Sequence, residues 1–130
     1  MKDRNVVDIF NEGKIIFPDD ETDAKKLNWY EHPAFNGVFL KDLVSGKETG
    51  GAFSCHIIRV NKGCEVGQHL HEDQWEFNEV LAGDGVYIYD NKEVRSGAGF
   101  SFATPPGVRH ALIAGVDDLY LLAKFIPATV

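Results

Sequence analysis

Residues 63–83, GCEVGQHLHEDQWEFNEVLAG, carry two histidines one residue apart, His69 and His71, then a carboxylate, Glu76, bracketed by Gly63 and Gly83. Residues i and i+2 of an extended strand project to one face, so the two imidazoles are expected side by side, as a chelating pair. The polar segment Glu72-Asp73-Gln74 can reverse the chain and bring Glu76 back alongside them on the next strand. From Trp75 to Leu81, period-two alternation groups Glu76, Asn78 and Val80 on one face and Trp75, Phe77, Glu79 and Leu81 on the other. Which face points inward follows only if Glu76 is a ligand. Imidazole plus carboxylate suits one divalent transition metal of the set Fe, Mn, Zn, Ni or Co.

The second informative stretch is residues 99–110, GFSFATPPGVRH, where Pro105-Pro106-Gly107 would set a rigid turn aiming His110 at the pair. Around both stretches, from Ser45 onward, turn signals recur at the spacing of short strands: Gly50-Gly51, Asn61-Lys62-Gly63, Gly83-Asp84-Gly85, Asp90-Asn91, Gly97-Ala98-Gly99 and Gly115. Between them lie FSCHIIRV, WEFNEVLA, VYIYD, FSFA, HALIA and LYLLAKFIP, rich in β-branched and aromatic residues and mostly too short for helices. This rhythm predicts an all-β sandwich or barrel rather than βαβ units.

The N-terminal part is less regular. KIIF (14–17) predicts a strand ended by Pro18, and Asp23 with AKKL offers a short capped helix, with an extended aromatic arm as the alternative. WYEHPAFNGVFLKDLV (29–44) reads as strand, turn at Asn36-Gly37, strand. We expect one domain, with residues 1–45 as an N-terminal arm and first strands and residues 46–130 as the barrel.

A chain of 130 residues, 44% hydrophobic, is the size of one core. A formal charge of −7 with no clustered basic stripe argues against nucleic acid as a partner. No apolar run is long enough to span a bilayer, and MKDRNVVDIFNEGK lacks the apolar core of a signal peptide. The expectation is a cytoplasmic protein with no membrane partner, whose two cysteines, Cys55 and Cys64, stay as thiols.

The pattern resembles the cupin superfamily. Its first motif, G-x5-H-x-H-x4-E-x6-G, is matched at every specified position by Gly63, His69, His71, Glu76 and Gly83. Its second, G-x5-P-x-G-x2-H-x3-N, is matched by Gly99, Pro105, Gly107 and His110, with Ala114 in place of the closing Asn. That Asn is not a ligand in the family's usual scheme, so the change touches the turn after the strand and leaves the site intact. The motifs span residues 63–113, the strand rhythm extends the likeness to Val130, and the N-terminal arm lies outside it.

The resemblance implies a double-stranded β-helix, the jelly-roll or cupin barrel, with an N-terminal extended arm. It implies that His69, His71, Glu76 and His110 bind one metal, leaving coordination positions for water or substrate. The short spacer between the motifs resembles small single-domain microbial cupins. The intact Glu76 argues against the thiol dioxygenase branch, which usually departs from that glutamate.

Other residues are expected around such a site. Asn78 shares the Glu76 face and is, with Glu76, a catalytic candidate as well as a substrate contact. His56 and Arg59 fall on opposite faces of one strand, so at most one points inward, and Arg59 there would suit an anion. Gln68 and Gln74 flank the ligands, Gln74 as the substitute if Glu76 is not one, and Phe102 is a wall candidate. His71-Glu72 begins an HExxH, but Trp75 stands at the second His position, and no G-x-S-x-G and no set of aspartate, serine and histidine can be singled out. The expected function is metal-dependent chemistry on a small organic molecule, by an oxygenase or by a Lewis-acid isomerase or lyase. A noncatalytic sugar- or metabolite-binding module is the alternative. Open sheet edges and the aromatics Trp29, Tyr30 and Phe35 suggest a homodimer.

Overall fold

The computed structural model describes residues 5–130. The chain begins with a short helix, α1 (Val6–Asn11), capped by Asn5, whose side chain accepts from the Asp8 amide. A small hairpin follows, β1 (Lys14–Ile16) with β2 (Glu21–Asp23), then one 3-10 turn at Ala24–Lys26 with Asp23 accepting from the Lys25 amide. The two alternatives for this region are therefore both in part realised: a capped turn, then an extended aromatic segment. Helix α1 was not expected from its two apolar pairs.

The expected hairpin is β3 (Tyr30–Glu31) against β4 (Val38–Val44), and the connection between them is a six-residue loop, His32 to Gly37. A second short helix, α2 (Gly46–Thr49), has a Ser45–Glu48 capping box and leads to β5 (Ser54–Val60). The remaining strands are β6 (Glu65–His69), β7 (Trp75–Ala82), β8 (Asp84–Tyr89), β9 (Lys92–Gly97), β10 (Ser101–Thr104), β11 (His110–Ala114) and β12 (Leu119–Ile126). Strand β9, KEVRSG, is polar and half exposed, so it lacked the apolar run that marked its neighbours.

All pairings are antiparallel. A six-stranded sheet, β10-β7-β12-β5-β4-β3, faces a four-stranded sheet, β6-β11-β8-β9. This is the all-β jelly-roll barrel. Alternation in β12 shows how the sequence builds it: Leu119, Leu121, Ala123 and Phe125 are buried between the sheets while Tyr120, Leu122 and Lys124 face outward. Val38, Leu40, Ile58, Val60 and Val80 join them from the same sheet, and Tyr87, Leu112 and Ala114 from the other.

The N-terminal segment covers the opposite, outer face of the large sheet. Ala24, Leu43, Val44 and Ile57 form a second apolar cluster there, with Ile15, Phe17, Leu27, Trp29 and Leu122 packed against it. A six-stranded sheet with apolar residues on both faces needs such a cover, because leaving the second face wet would forfeit about 25 cal/mol for each Å² of apolar surface.

The glycines of the motifs do backbone work. Gly63 and Gly83 take φ of 71° and 85°, a region open to glycine at no steric cost. Gly107, at φ 80°, donates its amide to the His71 carbonyl at 2.8 Å, so the second motif's turn is pinned directly to the first motif. In place of the missing Asn, the Ala114 amide bonds Cys64 O at 3.0 Å and the Gly115 amide bonds Asp84 O at 2.9 Å.

Candidate metal centre

Four side chains converge at one end of the barrel. His69 is the last residue of β6, Glu76 the second of β7 and His110 the first of β11, with His110 and His69 directly paired across the sheet. His71 lies past the end of β6, in the turn before β7. The expectation that both histidines share one strand face is thereby corrected: their rings are 5.0 Å apart but almost perpendicular, at 85°. They still converge, because the Gly107 bond to the His71 backbone holds the turn in place. One ligand atom from each of His69, His71, Glu76 and His110 lies within 4.8 Å of all the others.

The polar atoms around this point are sharply oriented. His69 Nδ1 is 2.7 Å from Gly67 O and His110 Nδ1 is 3.0 Å from Val108 O, so in both rings Nδ1 is spent on a carbonyl and Nε2 faces the cluster. Glu76 Oε1 lies 3.0 Å from His110 Nε2 and 3.2 Å from His71 Nε2, while Glu76 Oε2 accepts from Asn78 Nδ2 at 2.7 Å. Burial by itself would raise the Glu76 carboxyl. The His110, His71 and Asn78 contacts more than offset it and hold the carboxyl well below the usual range. His110 is moved the other way: burial lowers it, but the bond to Glu76 raises it by more. Burial lowers His69, which keeps that ring neutral and its nitrogen able to donate a lone pair.

A divalent transition metal fits here on two grounds. Three imidazoles and a carboxylate are the donor set such ions take. His71 Nε2 is buried and, despite its nearness to Glu76, makes no hydrogen bond. An unpaired buried nitrogen is costly unless something binds it.

The cluster opens onto a cavity of about 500 Å³. His69, His71 and Glu76 show on its wall, and the rest is mostly apolar, including Phe35, Leu40, Ile58, Val66 and Phe125. The β3–β4 loop closes one side. Phe35 lies 5.8 Å from the His69 ring and 4.7 Å from His32, seated over Gly67, where even a methyl group would come within 3.0 Å of the Phe35 ring. These wall residues escaped the sequence reading, which saw Phe35 and its neighbours as material for a subunit interface. The Asn-Gly turn signal was the available clue, since it puts residues 32–37 at a strand end.

The residues expected to meet a substrate are mostly elsewhere. Asn78 is buried behind Glu76, not on the wall. Arg59 is on the outer face, its guanidinium 5.3 Å from the Trp29 ring and 4.5 Å from the Phe39 ring, bonded to Asn61. Gln68 is exposed, and Gln74 donates to the carbonyls of Pro127 and Ala128, so it is not in reach as a substitute ligand. Phe102 is core, stacked on Tyr87 at 4.1 Å. His56 does face inward but is fully buried: Nδ1 lies 2.7 Å from Asp42 and Nε2 2.9 Å from Ser54 Oγ. An aspartate, histidine and serine row thus exists, although sequence alone could not single it out. Ser54 lines no cavity and accepts the Thr129 amide at 3.0 Å, so the row ties the C-terminal segment to β4 and β5 and offers no exposed nucleophile. Trp29 and Phe35 are half covered by their own chain, which removes two of the three aromatics from the case for a dimer.

A cupin domain model matches residues 56–122. The chain belongs to the cupin family. Over 70 residues this cupin is 34% identical to the oxalate-binding protein of Thermotoga maritima, a match covering 53% of this chain and 58% of that relative, so it spans little more than half of the relative's length. Among solved structures, it resembles one described as a predicted oxalate decarboxylase from Thermotoga maritima, with TM-score 0.72 and 27% identity over 79% of this chain and 95% of the other. An RmlC-like cupin from Shewanella frigidimarina shares the fold at TM-score 0.69 and 23% identity, over 81% and 87% of the two chains. The three-histidine, one-glutamate cluster of this cupin fits the metal sites of the family. Among the described residues, no helix is long and apolar enough to cross a membrane.

Proposed function

We propose that this cupin is a metal-dependent enzyme acting on a small organic molecule, with His69, His71, Glu76 and His110 as the ligands. The observation that carries the reading is the convergence of four donor atoms, three of them from residues on a cavity wall, with His71 Nε2 buried and making no hydrogen bond. A divalent metal held there would polarise a substrate oxygen or activate dioxygen, the Lewis-acid and oxygenase routes respectively. The chain's own contributions are separable from that chemistry. Asn78 fixes Glu76 Oε2, so that Oε1 stays turned to the histidines. His32 accepts the Ala34 amide on Nδ1 at 3.0 Å, and burial lowers its pKa, so its free donor toward the cavity is Nε2–H. Phe35 and Phe125 exclude water from either side.

The test is metal analysis of purified protein beside a His69→Ala/His71→Ala variant, followed by oxygen uptake with diketones, flavonols, hydroxy acids and uronates. Stoichiometric metal in wild type alone supports the site; oxygen consumption selects an oxygenase, and turnover without it selects an isomerase or lyase. No metal under any expression condition would sink the reading.

That the Thermotoga maritima relative is an oxalate-binding protein favours a second reading, a noncatalytic ligand-binding cupin. Ligand binding to the metal form without turnover of any panel compound would select it. We further propose that the protein works in the cytoplasm as a homodimer, with residues 1–45 supplying an N-terminal arm and the first strands of a single domain; a monomeric mass by light scattering at micromolar concentration would refute the dimer.

A further inference from the structure

We propose, building on the metal-site reading, that the cavity takes a monoanionic chelating acid with an apolar side chain, of the alkyl- or aryl-substituted 2-oxo acid class, and disfavours a small dianion. Apart from the cluster itself, the wall's polar side chains are Tyr30, His32 and Thr129, and no lysine or arginine lines it among the described residues. The two cations of β4 and β5 are committed outside. Lys41 Nζ bonds Asn11, and Arg59 lies over Trp29 and Phe39. Tyr30 is committed too, its hydroxyl donating to Asp42 at 2.7 Å.

Charge then decides between ligands. A divalent ion beside the Glu76 carboxylate carries one net positive charge. A monoanion brings the site to neutrality, whereas a dianion leaves a negative charge in an apolar cavity with no cation to pair it, which is strongly unfavourable. Size points the same way. About 500 Å³ lies in the range of pockets that hold drug-sized ligands, far beyond what oxalate fills. The surplus volume is walled by Phe35, Leu40, Ile58, Val66 and Phe125, a surface for hydrocarbon.

The experiment is titration of Co(II) into the full chain, then calorimetric titration of the loaded protein with oxalate, pyruvate, 2-oxobutanoate, 2-oxohexanoate and phenylpyruvate. The expected result is tightening of roughly fourfold for each added methylene, with oxalate about tenfold or more weaker than 2-oxohexanoate. Ala34→Lys, on the exposed β3–β4 loop at the cavity, should tighten oxalate several-fold and 2-oxohexanoate by a smaller factor, narrowing the gap between them. Protein that takes up no Co(II) overturns the metal-site reading and this inference with it. Protein that takes up Co(II) but binds oxalate most tightly, or is indifferent to side-chain length, overturns the inference alone.

Discussion

Two buried histidine–carboxylate groupings stand on either side of Phe125, and they are finished in opposite ways. At the Asp42–His56–Ser54 row no buried side-chain atom is left without a partner: Thr129 N–H donates to Ser54 Oγ, His56 Nε2 lies 2.9 Å from Ser54 Oγ and His56 Nδ1 2.7 Å from Asp42 Oδ1, which also accepts from Tyr30. Across the Phe125 ring, 5.6 Å from His56 and 5.1 Å from His71, the second grouping leaves His71 Nε2 and Asn78 Oδ1 buried without a hydrogen bond, His71 Nε2 having only its 3.2 Å approach to Glu76. A satisfied polar network rigidifies a fold, and an unsatisfied one is tolerated where a ligand completes it. The same residue types thus form a closed network on one side of a phenylalanine and an open donor cluster on the other.

Four experiments bear on that contrast. The His69→Ala/His71→Ala variant should lose metal by more than about 100-fold in affinity, beyond the 10–100-fold typical of losing an outer partner, with its far-ultraviolet spectrum intact. If unfolding is the main effect instead, the second grouping is architectural as well. Next in size, His56→Leu should cost about 2 kcal/mol by denaturant titration, roughly a 30-fold shift in the folding equilibrium, by stranding Asp42 and Ser54. Its metal content per folded molecule should match wild type; a loss of metal there would erase the distinction between the two groupings.

Asn78→Ala should weaken metal roughly tenfold while retaining stoichiometric binding at saturation, because Glu76 Oε2 loses its anchor. An unchanged affinity by competition with a chelator would assign Asn78 to packing. The smallest effect is in acid. Burial would raise Asp42, but its bonds from His56 and Tyr30 hold it below the ordinary carboxylate value. A carboxyl depressed in the folded state contributes stability above its unfolded pKa, about 3.9, and loses it as pH falls through the folded value. The stability gap between wild type and Asp42→Asn should therefore be full near neutrality and shrink below about pH 4. A gap that does not change with pH would mean that the row is not charged as described.

The histidine–glutamate cluster was far more legible in the sequence than its surroundings. Spacing within 63–83 and 99–110 survives folding because His69 and Glu76 flank a short turn at 70–74 and His110 follows the Pro105-Pro106-Gly107 turn, and such turns are encoded locally. Pairings such as Asp42 with His56 join residues from different strands through tertiary register, Asp42↔His56 being direct neighbours across β4 and β5, and no local pattern announces them. Arg59 shows the same limit. Alternation correctly opposed it to His56, but only the packing of Trp29 from the N-terminal segment makes the outer face a home for a guanidinium.

Local chemistry thus sufficed for the all-β architecture, the two motifs and the ligand set they imply, since turn preference and strand periodicity act over a few residues. The cavity did not follow from it. Its walls come from a loop at 32–37, β12 and residues 129–130, segments far apart in the chain, and its missing cations are a consequence of which face of the large sheet the N-terminal segment covers. That choice is made by burial summed over the whole core, a quantity that exists only once the chain is folded.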